Sequence, residues 1–166
     1  MKPLSSLVFV FIFIMVSGLP AVGQHKTDLS IGAGFPETLN IGLRYQVLRQ
    51  SQIGLSIGTW PSPDSWLFNW KSLISLSGDF YYHFGGSSKY SDIAPWYIRT
   101  GLDYIRIAGE SYIENNLESH LRIGRDFYLF EDIGLRPDVG VTLFLLNETG
   151  FSTVLPAFGF SFFIGF

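Results

Sequence analysis

The last ten residues, Ala157-Phe158-Gly159-Phe160-Ser161-Phe162-Phe163-Ile164-Gly165-Phe166, alternate between two kinds of side chain. Phe158, Phe160, Phe162, Ile164 and Phe166 share one parity. Ala157, Gly159, Ser161 and Gly165 take the other, with Phe163 as its bulky exception. In a strand the two sets point to opposite faces. One face is therefore a continuous apolar stripe, and the other carries almost no side-chain bulk. A half-buried strand of a water-soluble sheet would place Lys, Glu and Thr on that second face; this one does not.

The same alternation recurs upstream. Leu29, Ile31, Ala33 and Phe35 alternate with Ser30, Gly32 and Gly34; Ile41, Leu43, Tyr45 and Val47 with Gly42, Arg44 and Gln46; Ile53, Leu55 and Ile57 with Gly54, Ser56 and Gly58. Ile74, Leu76, Phe80, Tyr82 and Phe84 alternate with Ser75, Ser77, Asp79, Tyr81 and His83, and Trp96, Ile98, Leu102 and Tyr104 with Arg99, Gly101 and Asp103. Leu117, Leu121, Ile123, Phe127 and Leu129 alternate with Glu118, His120, Arg122, Gly124 and Asp126. Leu135, Val139, Val141, Leu143 and Leu145 alternate with Arg136, Asp138, Gly140 and Thr142. With the terminal segment these make eight strands, and no stretch shows a 3.6-residue period. An eight-stranded barrel has an interior just wide enough for side chains to fill. Glycine, serine and paired charges fit that interior, while the apolar stripe faces lipid. The fold expected is all-β: an eight-stranded antiparallel up-and-down transmembrane β-barrel.

Composition narrows the function classes. Of the 166 residues, 47% are hydrophobic, 17% aromatic and only 15% charged, against about 25% charged in an ordinary soluble domain. That balance excludes a disordered chain and a coiled coil. A net charge of −3 offers no basic field to a phosphate backbone, so no nucleic-acid partner is expected. The absence of cysteine excludes a disulfide scaffold, a thiolate metal site and a cysteine nucleophile.

The first residues read as a targeting segment. Lys2 precedes an unbroken apolar run over 7–16, Gly18 and Pro20 break it, and Ala21-Val22-Gly23 supplies small residues before Gln24. This is the layout of a secretory signal peptide. Ten apolar residues in a helix reach about 15 Å, half a bilayer core. Residues 1–23 are therefore read as a cleaved signal and 24–166 as a single barrel domain. An exported chain without a spanning helix is either a secreted globule or a closed barrel in an outer membrane. Connections expected at 36–39, 61–70, 108–116 and 147–154 form one rim, and turns at 49–52, 85–94 and 131–134 the other. Two features depart from the usual pattern of short turns opposite longer loops: the first loop is very short, and 85–94 is long for a turn.

A closing strand of alternating aromatics that ends on Phe166 resembles the insertion signal of bacterial outer-membrane barrels. Residues 25–166 as a whole resemble the small OmpA/OmpX-type eight-stranded barrels, the outer membrane protein beta-barrel domain in its broad sense. The stretch Leu135-Arg136-Pro137-Asp138-Val139-Gly140 is similar to penultimate strands of such proteins from Bacteroidota-like bacteria. The resemblance implies a location in the bacterial outer membrane. It also implies contact with outer-membrane lipid and lipopolysaccharide, and recognition of Phe158, Phe160, Phe162, Ile164 and Phe166 by the barrel assembly machinery. It brings no catalytic motif and no cofactor.

Three constellations could carry function. Arg44, Arg99, Arg122 and Arg136 share the lumenal parity with Asp79, Asp103, Glu118, Asp126 and Asp138. These charges read as an ion-pair plug, since a charge in a narrow interior must be paired, or else as a narrow conduit for small solutes or ions. A lipid-modifying acyl hydrolase or transferase would need a hydroxyl nucleophile beside a carboxylate-oriented base. Ser119 and His120 are neighbours in a strand and so point to opposite faces, and no catalytic residue is assigned. Trp60, Trp66, Phe68 and Trp70 flank Pro61, Pro63 and Asp64, forming either a ligand- or partner-binding surface or part of an aromatic girdle at headgroup level. Tyr45, Tyr82, Trp96, Tyr97 and Tyr128 are assigned to the opposite belt. Glu37, Asp64, Glu110, Glu114 and Glu148 are read as an acidic outer rim. Arg125 falls on the lipid parity and calls for snorkelling or a bulge. A structural or interaction role at the envelope leads, ahead of a narrow pore, a lipid-modifying enzyme and a secreted lipocalin-like binder. N-terminal sequencing of the protein from a membrane fraction is expected to begin at Gln24; retention of Met1 would refute the cleaved signal.

Overall fold

The computed structural model describes residues 26–61, 70–109, 111–147 and 153–166. The signal segment, Trp66 and Phe68 lie outside the described residues. The chain forms β1 (Thr27–Phe35), β2 (Thr38–Leu48), β3 (Ser51–Pro61), β4 (Trp70–Phe84), β5 (Trp96–Gly109), β6 (Ile113–Arg125), β7 (Phe127–Tyr128), β8 (Ile133–Asn147) and β9 (Val154–Gly165). Each strand from β1 to β5 pairs antiparallel with the next. β6 pairs with β8, and the two-residue β7 continues that edge after a break at Asp126. β8 pairs with β9, and β9 returns to β1 from Asp28↔Gly165 to Phe35↔Phe158. The wall is thus a closed antiparallel barrel of eight strands.

The alternation read from the sequence maps onto this wall. Ile31, Leu55, Leu121, Val139 and Phe158 all stand outward, between 56% and 68% exposed. Arg44, Asp103, Glu118 and Arg122 point inward and are at most 3% exposed. This is the inverse of a water-soluble protein, whose large apolar side chains fill its centre. The buried apolar cluster Leu73, Ile105 and Ile107 sits inside the lumen near the loop end.

Several connections differ from expectation. The hydrogen-bonded ladder runs further than the hydrophobic pattern, so β5 extends to Gly109 and β6 starts at Ile113. The first loop shrinks to a two-residue turn at Pro36 and Glu37, and both residues are buried. At the end carrying the termini, residues 85–95 fold across the barrel mouth rather than hanging free. Gly85 and Gly86 open this segment with φ of 62° and 76°, the left-handed region in which glycine alone is unstrained. Ile93 is then buried beneath the mouth. The Ala94 carbonyl lies 2.8 Å from His83 Nδ1, and the Pro95 carbonyl accepts from the Asp126 amide at 2.8 Å. That lid explains the length of the turn.

The aromatic belt also needs correction. Tyr45, Tyr82 and Trp96 are exposed on the outer face, as a belt requires. Tyr97 is fully buried in the lumen, and the half-buried Tyr128 meets the lumenal Phe163 ring edge-on at 5.3 Å. Tyr97 follows Trp96 and must take the opposite face. Tyr128 likewise keeps the lumenal parity of Asp126, between the exposed Phe127 and Leu129, so alternation places it inside and the belt assignment overlooks it. Arg125 stays on the outer side, its guanidinium 5.3 Å from the Trp96 ring and 4.9 Å from that of Phe127. Two aromatic faces thus hold a cation that the parity alone would leave in hydrocarbon.

The orientation predicts an asymmetric response to charge. Leu102 stands outward near the middle of β5, so Leu102→Arg should lower the unfolding free energy in lipid vesicles by about 2–4 kcal/mol. A near-neutral effect in urea titrations would contradict a lipid-facing wall.

A buried ion-pair lumen as the candidate functional site

Two tiers of charge fill the barrel. The tier nearer the termini is a closed ring of two carboxylates and two guanidinium groups. Arg44 Nε donates to both carboxylate oxygens of Asp28 at 3.1 Å, and its Nη2 reaches Asp126 Oδ2 at 3.2 Å. Arg136 completes the ring, with Nε donating to Asp126 Oδ1 at 2.7 Å and Nη1 to Asp28 Oδ1 at 3.3 Å. Both guanidinium groups also rest on rings, Arg44 on Tyr81 at 4.6 Å and Arg136 on Phe163 at 4.3 Å. Phe163, the bulky exception of the last strand, is therefore the floor of an arginine site.

The second tier is centred on Glu37. Arg99 Nη2 donates to Glu37 Oε1 at 2.6 Å and to Asp79 Oδ2 at 2.9 Å. Arg122 Nη1 lies 2.9 Å from Glu37 Oε2 and 3.2 Å from Asp138 Oδ1. Tyr97 Oη donates to the other oxygen of Asp138 at 3.3 Å. His120 is wedged between two acids, Nδ1 at 2.7 Å from Asp103 and Nε2 at 2.9 Å from Asp79. An ionised carboxylate only accepts, so a ring held by two of them presents N–H at both nitrogens and carries a positive charge. Glu118 accepts from Thr142 Oγ1 at 2.7 Å. Beyond this tier, Leu73, Ile105 and Ile107 occupy the lumen near the loop end.

Glycines make this packing fit. A Cβ at Gly58 would stand 2.5 Å from the Glu37 carbonyl oxygen and 2.3 Å from Ser75 Oγ, which donates to that oxygen. A Cβ at Gly124 would stand 2.3 Å from Tyr97 Oη. The small-residue parity thus leaves room for the inward turn and for a lumenal tyrosine.

All nine charges assigned to the lumen from sequence, Arg44, Asp79, Arg99, Asp103, Glu118, Arg122, Asp126, Arg136 and Asp138, are buried inside the barrel. Glu37 corrects the reading of an acidic rim: the short turn carries it inward, where it is 2% exposed. Asp28 and His120 also belong to the network, and their lumenal parity was the signal for both. Of the aromatic stretch, Trp60 is exposed at the end of β3 and Trp70 opens β4. Phe158, Phe160, Phe162 and Ile164 of β9 face outward together with Phe166.

No family model matches the sequence, and no curated protein sequence matches it significantly. The N-terminal β-barrel domain of Pseudomonas aeruginosa OprF superposes with a TM-score of 0.54 at 17% identity, over 86% of this chain and 100% of that one. Neisserial surface protein A (NspA) superposes with a TM-score of 0.50 at 11% identity, over 84% of this chain and 94% of that one. The likeness is one of fold. This chain shares its closed antiparallel barrel with both structures and only about one residue in six to one in nine with their sequences.

Chemically the site is a network of buried, mutually paired charges. A buried ion pair adds little net stability, but removing one partner strands the other and costs about 3–5 kcal/mol. Arg44→Met, which abandons Asp28 and Asp126 together, is therefore expected to destabilise the barrel by about that amount. Arg44→Met combined with Arg136→Met should depart from additivity by more than about 0.5 kcal/mol, because the two share both acids. Additive effects in a denaturant-unfolding cycle would mean the ring does not act as a unit.

Proposed function

We propose that this chain is an integral protein of the bacterial outer membrane, held there by its apolar outer face, with a structural or interaction role rather than transport or catalysis. The observation that carries the reading is the filled lumen. A solute moving along the axis would meet the lid at 85–95, the ring of Asp28, Arg44, Asp126 and Arg136, the Glu37 tier, and then the apolar cluster. Opening that path means separating buried ion pairs, and each stranded charge is costly.

Two further points support it. His120 is the histidine best placed to act as a base, yet both its nitrogens face carboxylates and it lies inside the barrel, whereas Ser119 is on the outer parity. Lipid acyl chemistry would need the opposite arrangement, with a free nitrogen aimed at a hydroxyl that lipid can reach. The outer face in turn carries an apolar band with Tyr45, Tyr82 and Trp96 at one margin, the depth at which aromatic rings sit in membranes.

Within this reading, the partners in the membrane are lipid and lipopolysaccharide. Phe158, Phe160, Phe162, Ile164 and Phe166 form the strand offered to the assembly machinery. The aromatic stretch Trp60, Trp66, Phe68 and Trp70 is the surface assigned to a ligand or partner, and residues 1–23 are the export signal. Purified barrel in planar bilayers is expected to give no stable unitary conductance steps, while the membrane fraction resists carbonate and shifts in gel mobility on heating. Reproducible unitary steps would replace this reading with the narrow pore, and extraction by carbonate would remove the membrane assignment.

A further inference from the structure

The second tier does not balance. On the loop side of the Asp28–Arg44–Asp126–Arg136 ring, the described lumenal residues comprise five carboxylates, Glu37, Asp79, Asp103, Glu118 and Asp138. Facing them are Arg99, Arg122 and the doubly engaged His120. Among the described residues the acids thus exceed the cations by two, a costly imbalance in a buried site if all are ionised and nothing neutralises them.

The missing partner has an address. Ser77, Asp103 and Glu118 are consecutive register partners on β4, β5 and β6, and all three point into the lumen. Each is at most 1% exposed. Each also has an oxygen without a hydrogen-bond partner: Ser77 Oγ, Asp103 Oδ1 and Glu118 Oε1. A buried oxygen left unsatisfied is rare and calls for an explanation, and three in one cross-strand row point to a shared ligand. Glu37 approaches from the inward turn, with a carboxylate oxygen within 4.8 Å of a donor atom of Asp103. A ring nitrogen of His120 falls in the same group; Nδ1 is hydrogen-bonded to Asp103 and Nε2 lies 2.9 Å from Asp79 without a hydrogen bond, so the ring lines the site beside these acids.

We propose that Ser77, Asp103 and Glu118 bind one hard divalent cation, Ca²⁺ or Mg²⁺, inside the barrel, with Glu37 beside Asp103 as an outer partner held by Arg99 and Arg122. The donors are carboxylate and hydroxyl oxygens, the ligand set of hard cations and not of thiolate- or imidazole-seeking metals. One such ion cancels the two excess charges and satisfies the three orphaned oxygens together. Protons would satisfy them one at a time. The barrel wall would then be cross-braced from β4 to β6 at mid-height, and the β1–β2 turn would be tied to it through Glu37.

The test uses the full barrel in detergent micelles, stripped by chelator during refolding and then refolded with Ca²⁺, Mg²⁺ or neither. The expected result is an ion retained through gel filtration and counted by elemental analysis, with a higher unfolding temperature for the loaded protein. Glu118→Gln and Asp103→Asn should weaken retention by about tenfold or more, whereas Glu131→Gln, at an exposed site outside the lumen, should not. Wild-type protein that retains neither ion and unfolds at one temperature in all three conditions overturns the proposal. So does an ion effect undiminished in Glu118→Gln, which would place the ion elsewhere. If Asp103→Asn does not fold, the wild-type retention and the isosteric Glu118→Gln decide the matter.

Discussion

In hydrocarbon a backbone amide or carbonyl without a partner has no water to turn to, and each such group costs several kcal/mol. The ladder between β1 and β9 removes the last two free edges of the sheet, and the remaining features follow from that closure. It fixes the number of strands around the wall, hence the bore, hence the volume that side chains must fill. It also decides which face is inside. Once the apolar parity is turned outward, every Arg and Asp on the other parity is committed to a narrow interior in which it needs a partner.

The interior meets that demand by two different means. The ring of Asp28, Arg44, Asp126 and Arg136 is self-contained, with charges balanced and both guanidinium groups resting on aromatic faces. The Glu37 tier is assembled from further afield, because its central acid comes from a turn and not from a strand. That turn can enter only because Gly58 leaves space beneath it. The second tier therefore couples the rim at the loop end to the middle of the wall. The lid at 85–95 does the equivalent at the other end through His83 and Asp126.

Among the described residues, charged side chains from opposite walls meet across the bore at successive heights, with the apolar cluster nearer the loop end. The barrel's superposition on the OprF domain and NspA at low identity shows how little shared sequence the wall requires. In this chain the described lumenal acids outnumber the cations in one tier and match them in the other.

Alternation alone determined the strands, their facing and the inside-out distribution, because a period of two leaves each residue a single face once one residue is placed. Nine lumenal charges were legible for the same reason. Parity lost its hold where the ladder did, at the Pro36–Glu37 turn, which swung an expected rim acid into the centre; Tyr97 and Tyr128, by contrast, obey it, and their assignment to the outer belt went against the alternation. The pairing of charges was also beyond the sequence, since Arg44 and Asp126 are 82 residues apart and meet only because the wall curves until opposite strands face each other across the bore. Which groups lie within hydrogen-bond reach is a property of that curvature, and only the closed tertiary structure supplies it.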